Sequence, residues 1–174
     1  MNIASVWLSG CTGCHMSFLD LDERLMELPR LARIVFTPFA DMKSFPQDVD
    51  ITLVEGAVAT STDLELLRTV RASTRQLIAF GDCAVTGNIT AMRNTFGRDQ
   101  VLAAAYGTEG KHFGQDASHH LPSLLEQVLP IHRLVDVDFY LPGCPVSPEL
   151  IWYVLTEMIE GRRPVLDRKK LRYG

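Results

Sequence analysis

The sequence predicts a doubly wound parallel α/β sheet, and three observations carry that prediction. Short apolar runs alternate with segments of helical periodicity in the order strand, helix, strand, helix, strand. That order is the pattern of a parallel sheet covered by helices on both faces. The first run, residues 2–8, is apolar enough to read as a buried strand. Finally, every cysteine of the chain lies just after such a run: Cys11 and Cys14 in the turn after the first, Cys83 and Cys144 after later ones.

Taken in order, residues 2–8 lead through Ser9-Gly10-Cys11-Thr12-Gly13-Cys14-His15 into a helix expected from Met16. Ser17-x-x-Asp20 resembles a capping box for it. Phe18, Leu21, Leu25 and Leu28 share its apolar face, and Pro29 should end it. Residues 32–36 form a strand candidate and 39–49 a loop. Residues 49–54 are a strand ending in Glu55-Gly56. Ser61-Thr62-Asp63 starts a helix carrying Leu64, Leu67 and Val70 at helical spacing, and residues 76–80 are a strand ending in Gly81-Asp82-Cys83-Ala84.

Between Thr86 and Pro122 the pattern weakens. Residues 97–106 favour a helix on propensity. The glycine-rich residues 107–115 read as an exposed loop, either a contact surface for another subunit or a mobile one. His112, His119 and His120 read as polar surface, without further ligands at metal spacing. Residues 121–129, between Pro122 and Pro130, are expected as a short helix. Residues 134–141 alternate as a strand does and run into Pro142-Gly143-Cys144-Pro145. The last helix opens at Pro148-Glu149; Leu150, Ile151, Val154, Leu155, Met158 and Ile159 make its apolar stripe, and Gly161 caps it.

A length of 174 residues predicts one domain, 1–174, able to bury roughly 70% of its unfolded surface. The net charge of −4 gives no reason to expect nucleic acid or an anionic membrane as partner. No apolar run approaches the roughly 18–20 residues of a membrane helix. Met1-Asn2-Ile3 enters a strand with no basic region, twin arginine or cleavage site, so the expected compartment is the cytoplasm. Thiols stay reduced there, and four cysteines are then metal-binding or catalytic rather than stapled.

Three chemistries fit the pattern C-x2-C followed by two single cysteines. A structural zinc ion would take four thiolates, although zinc modules usually carry two close pairs. A dithiol redox centre would use Cys11 and Cys14 and leave Cys83 and Cys144 without a role. A 4Fe–4S cluster takes four thiolates, one per iron, and is broad enough to draw them from separate loops. Gly10, Gly13 and Gly143 beside the sulfurs would let the backbone approach such a body.

Cys11-Thr12-Gly13-Cys14, Val54-Glu55-Gly56, Gly81-Asp82-Cys83-Ala84 and Leu141-Pro142-Gly143-Cys144-Pro145 occur in the order seen in small subunits of nickel–iron hydrogenases. The resemblance covers residues 7 to about 153. It is nearest to the soluble, bidirectional, NAD-reducing type, because no cysteine for further clusters follows Cys144. The alternatives are the small subunit of another soluble nickel–iron hydrogenase and the related cluster subunit of respiratory complex I, which has adjacent cysteines where Thr12-Gly13 intervene here. Val146 departs from a second proline found in many relatives.

The resemblance implies a flavodoxin-like domain with its cluster loops at the carboxyl ends of the strands. It also implies a proximal 4Fe–4S cluster on Cys11, Cys14, Cys83 and Cys144, and a large partner subunit holding the nickel–iron centre where hydrogen is split. A diaphorase partner would carry FMN and the NAD site. No FMN is expected tightly bound in this chain, since Cys11 to Cys14 occupy the turn where a flavodoxin holds phosphate. Thr12 is expected to face the large subunit. Glu55 is either an interface proton relay or a carboxylate anchoring a turn amide. His15 either bonds a cluster sulfur or faces the partner, and Trp7, Trp152 and Tyr153 are packing or interface residues.

Overall fold

The computed structural model describes residues 1–107, 121–167 and 171. In chain order the elements are β1 (Asn2–Trp7), α1 (Gly13–Leu19), α2 (Arg24–Leu31), β2 (Arg33–Phe36), β3 (Val49–Glu55), β4 (Val58–Thr60), α3 (Ser61–Ser73) and β5 (Thr74–Phe80). There follow α4 (Asp82–Thr86), a 3-10 segment (Asn88–Thr95), α5 (Arg98–Tyr106), β6 (Leu124–Leu129), a 3-10 turn (Ile131–Arg133), β7 (Phe139–Leu141) and α6 (Pro148–Ile159). β1, β2, β3, β5 and β7 form a parallel sheet in the order β2-β1-β3-β5-β7. The strand order reverses beside β1, at the kind of switch point where such sheets bind ligands. The expected doubly wound α/β fold is present.

Alternation along the strands divides the core in two. Ile51, Leu53, Ile78 and Phe80 pack on one face against Phe18 of α1, Leu28 of α2 and Ile151, Val154 and Leu155 of α6. Val6, Val54, Leu77 and Ala79 face the other way, against Leu67 and Val70 of α3 and Ala84 of α4. Each fully buried Leu, Ile or Val contributes roughly 1.5–3 kcal/mol, so the sheet is held mainly by its two covers. Thr60 caps α3 in a capping box with Asp63, and Ser147 caps α6.

Five expectations are corrected, four of them in the helices and in β6. The helix expected from Met16 to Pro29 is two helices, α1 and α2, because Asp22 adopts a left-handed φ of 52° between them. Ser17 does not cap it; its hydroxyl donates to the Val146 carbonyl. Pro29 lies inside α2, which continues only to Leu31. Residues 121–129 do not form a helix: β6 pairs antiparallel with β4, and Asn94 brackets Val128 with one bond to its N–H and one to its carbonyl. Helix propensity of Leu, Glu and Gln is a weak prior that such tertiary pairing overrides.

The strand expected over 134–141 shortens to β7, which has partners on β5 only at Phe139, Tyr140 and Leu141. The stretch 108–120, with His112, His119 and His120, lies outside the described residues. No helix among the described residues is long and apolar enough to cross a membrane.

Candidate functional site

Three loops leave the carboxyl edge of the sheet, one from β1 on one side of β3 and two from β5 and β7 on the other. The turn after β1 carries Cys11 and delivers Cys14 into the first turn of α1. Gly81 turns β5 into α4, whose second residue is Cys83. The loop after β7 carries Cys144.

The second and third loops are stapled together. Gly81 N–H donates to the Leu141 carbonyl at 2.8 Å and Asp82 N–H to the Gly143 carbonyl at 2.9 Å. Gly143 N–H returns a bond to Asp82 Oδ1 at 2.8 Å. The first loop meets the second through sulfur: a Cβ built on Gly81 would lie 2.2 Å from Cys14 Sγ. Gly81, at φ 83° and ψ 163°, occupies a region essentially confined to glycine. It forms a cradle for that sulfur which no other residue leaves open.

The thiols act on one another. Burial pushes the Cys14 thiol up to about 12; a Val146 backbone N–H opposes this, while Glu55, Cys11 and Cys83 add to it. Burial also raises Cys83, with Cys11 and Cys144 contributing and Thr90 opposing. No cation is among the groups acting on either thiol. A redox dithiol needs the opposite, a thiol pKa lowered by positive surroundings. All four cysteines are free thiols, Cys11 and Cys144 exposed, Cys14 buried and Cys83 between.

Each sulfur also has a polar neighbour. Gly13 N–H donates to Cys11 Sγ and Asn88 Nδ2 to Cys144 Sγ, both at 3.4 Å, and Val146 N–H serves Cys14. The Thr90 hydroxyl stands by Cys83, whose thiol it lowers, and lies 2.6 Å from the Gly87 carbonyl. Among the described residues no group of three or more His, Cys, Asp or Glu is arranged to hold a single metal ion. Soft donors come from three loops, with amides turned toward them, and no described lysine or arginine acts on Cys14 or Cys83. That donor set fits a broad cationic iron–sulfur body better than one zinc ion.

Glu55, at the end of β3 between β1 and β5, is 3% exposed. Its Oε1 accepts from Cys14 N–H at 3.2 Å and its Oε2 from His15 N–H at 2.9 Å, and Oε2 also pairs with His15 Nδ1. Of the two readings for this residue, the structure shows the carboxylate anchoring turn amides. It holds the start of α1, where unpaired N–H groups favour an anion. A 160 Å³ cavity bordered by Trp7, Leu8, Gly10, Thr12 and Glu55 is the approach to it from that side.

His15 does not face outward. It is fully buried, edge-on to Trp7, Phe39 and Phe80, with Nε2 unpartnered among the described residues. Thr12 sits at φ 67° in the N-cap position without a capping bond. Gly10 gives room not to the sulfurs but to Gly56, whose Cα would be 3.3 Å from an added Cβ. Trp152 and Tyr153 pack on the α6 side of the core, the former under the Arg24 guanidinium. The cradle at Gly81, the His15–Glu55 pair and the Asn88 donor were not read from the sequence. The Gly87-Asn88 dipeptide, a turn signal just after a cysteine, was the one available clue.

Fold and site together define a parallel α/β module with its cysteines gathered at one edge of the sheet. Residues 11–158 match the family described as NADH ubiquinone oxidoreductase, 20 kDa subunit, and the chain belongs to that family. Similar proteins include hydrogenase subunits. Subunit delta of the NAD-reducing hydrogenase HoxS of Cupriavidus necator is 35% identical over 93% of this chain and 80% of its own length. A subunit of the vhu F420-non-reducing hydrogenase of Methanocaldococcus jannaschii is 34% identical over 97% of this chain. The chain spans only 59% of that relative's length. A solved NAD+-reducing [NiFe]-hydrogenase in its H2-reduced state superposes with a TM-score of 0.89 and 40% identity, covering 99% of this chain and 98% of that one. The resemblance to small subunits of NAD-reducing nickel–iron hydrogenases is thereby borne out.

Proposed function

We propose that Cys11, Cys14, Cys83 and Cys144 hold one 4Fe–4S cluster, and that this chain passes electrons between a nickel–iron site in a large partner subunit and a diaphorase that reduces NAD+. The carrying observation is the convergence of all the cysteines of the sequence from three loops onto one sheet edge, where they act on one another and no cation among the described residues acts on Cys14 or Cys83. Bound there, a cluster supplies one-electron storage at a potential set by its surroundings.

The chain's own residues do the positioning. Glu55 fixes the amides of Cys14 and His15, Asp82 ties the Cys83 loop to the Cys144 loop, and Ser17 ties α1 to Val146. Cys11 and Cys144 remain at the surface, where electrons enter and leave. NAD+ is favoured as final acceptor over the chemistry of the F420-non-reducing relatives by similarity: the NAD+-reducing structure is 40% identical with a TM-score of 0.89, against 34% identity for the Methanocaldococcus jannaschii relative. In this reading residues 1–174 form one cluster domain working in the cytoplasm. Flavin and NAD belong to the diaphorase, since Cys11 to Cys14 fill the phosphate turn.

Anaerobic purification with its partners, followed by iron, sulfide and zinc counting, tests the proposal. Four irons and four sulfides per chain are expected. Serine in place of any one cysteine should abolish most hydrogen-dependent NAD+ reduction. Zinc without sulfide, or full activity in such a variant, would overturn the assignment.

A further inference from the structure

Asn88 stands where the chain doubles back from α4 toward the Cys144 loop. Gly87 and Asn88 both take positive φ, 87° and 36°, and Asn88 N–H is held by Thr86 Oγ1 at 3.3 Å. Outside glycine, asparagine is among the few residues that accept such a backbone without a large penalty. Its side chain is at the same time a donor, and Nδ2 points at Cys144 Sγ from 3.4 Å. These two demands, left-handed backbone and a neutral N–H donor, are met together by asparagine.

We propose that Asn88 sets the reduction potential of the centre held by the cysteines, by donating its amide N–H to the Cys144 sulfur. The inference rests on the reading that the four sulfurs hold a cluster. Adding an electron raises the negative charge on the ligating sulfurs, and a donor stabilises the more negative state, so the bond favours reduction. Cys144 is exposed, so this donor acts on the sulfur open to an electron partner.

The test uses the complete complex, purified anaerobically, with Asn88→Gly and Asn88→Asp. Glycine keeps the backbone conformation and removes the donor; aspartate keeps the shape and turns donor into acceptor. Iron and sulfide are counted first in the unaltered protein, so that absence of a cluster is read as failure of the underlying assignment and not of this one. The midpoint is then followed by the paramagnetic signal of the reduced cluster during redox titration. At a fixed solution potential the reduced-to-oxidised ratio should fall about tenfold in Asn88→Gly, a shift of about 59 mV for one electron. It should fall further in Asn88→Asp, with iron content unchanged in both.

A ratio within about twofold of the unaltered protein in both loaded variants would overturn the proposal. Loss of iron from both would also overturn it, making Asn88 a prop for the loop. If only one variant keeps its iron, that variant's midpoint decides.

Discussion

Replacing Gly81 by alanine attacks the socket at its tightest point. The new Cβ would fall 2.2 Å from Cys14 Sγ and 3.5 Å from Cys14 Cβ. The sulfur must move by more than an ångström to regain van der Waals contact, yet it sits in the core beside Phe18 and Phe80. At φ 83° and ψ 163° alanine also occupies a glycine-only region. Backbone strain of about 1–3 kcal/mol and overpacking of about 1–3 kcal/mol together predict a loss of roughly 2–6 kcal/mol. Urea unfolding of the iron-free chain measures that loss. Iron counting measures the second consequence, displacement of one ligand from its three neighbours and a fall in cluster content. A Gly81→Ala variant with unchanged stability and a full iron complement would refute the geometry on which the socket rests.

Other outcomes follow from the same contacts. Glu55→Gln sets an amide NH2 against the N–H groups of Cys14 and His15; a buried charged acceptor lost to a donor predicts about 2–4 kcal/mol of destabilisation, read by urea unfolding. Asn94→Ala removes both bonds that bracket Val128, and faster amide exchange of residues 124–129, with a loss of about 1–3 kcal/mol, should report the release of β6. In the iron-free chain the Cys14 thiol is raised from an ordinary 9.0 to about 12, and Cys83 is raised as well. The folded state therefore keeps protons that the unfolded state loses. This contribution is whole below pH 9 and declines as pH climbs toward 12, by at most about 1.4 kcal/mol per pH unit per thiol. Unfolding midpoints measured across that range should show the decline, and Cys14→Ala should flatten it. Cluster loading must strip the same protons, so reconstitution yield should rise from pH 6.5 to 8.5.

The central sheet was legible because β1, β3 and β5 are buried on both faces, and their apolar runs announce it without any knowledge of partners. β6 was not: Leu124-Leu125-Glu126-Gln127 favours a helix locally, and only Asn94 and β4, far off in sequence, make it a strand. The break at Asp22 was hidden because an aspartate that accepts left-handed backbone looks no different from one on a helix surface. Ser17 resembled a cap because the spacing to Asp20 is right, while its actual partner, Val146, lies at the other end of the chain. Of the site, the four sulfurs could be found by counting cysteines at strand ends. Gly81 and Asn88 could not, since what matters in them is φ and a through-space distance to a sulfur.

The strand that carries no cysteine has its own effect on the centre. β3 runs between β1 and β5, so the Glu55 carboxylate at its end stands between the Cys14 and Cys83 loops and raises both thiols. In the proposed cluster centre, the Glu55 carboxylate, itself paired with His15 Nδ1, opposes added negative charge on these sulfurs. The order of strands in the sheet thus imposes an electrical bias as well as a shape. In the proposed cluster centre the two act in opposite directions, the carboxylate on the buried inner side against reduction and Asn88, beside the exposed Cys144 sulfur, in favour of it.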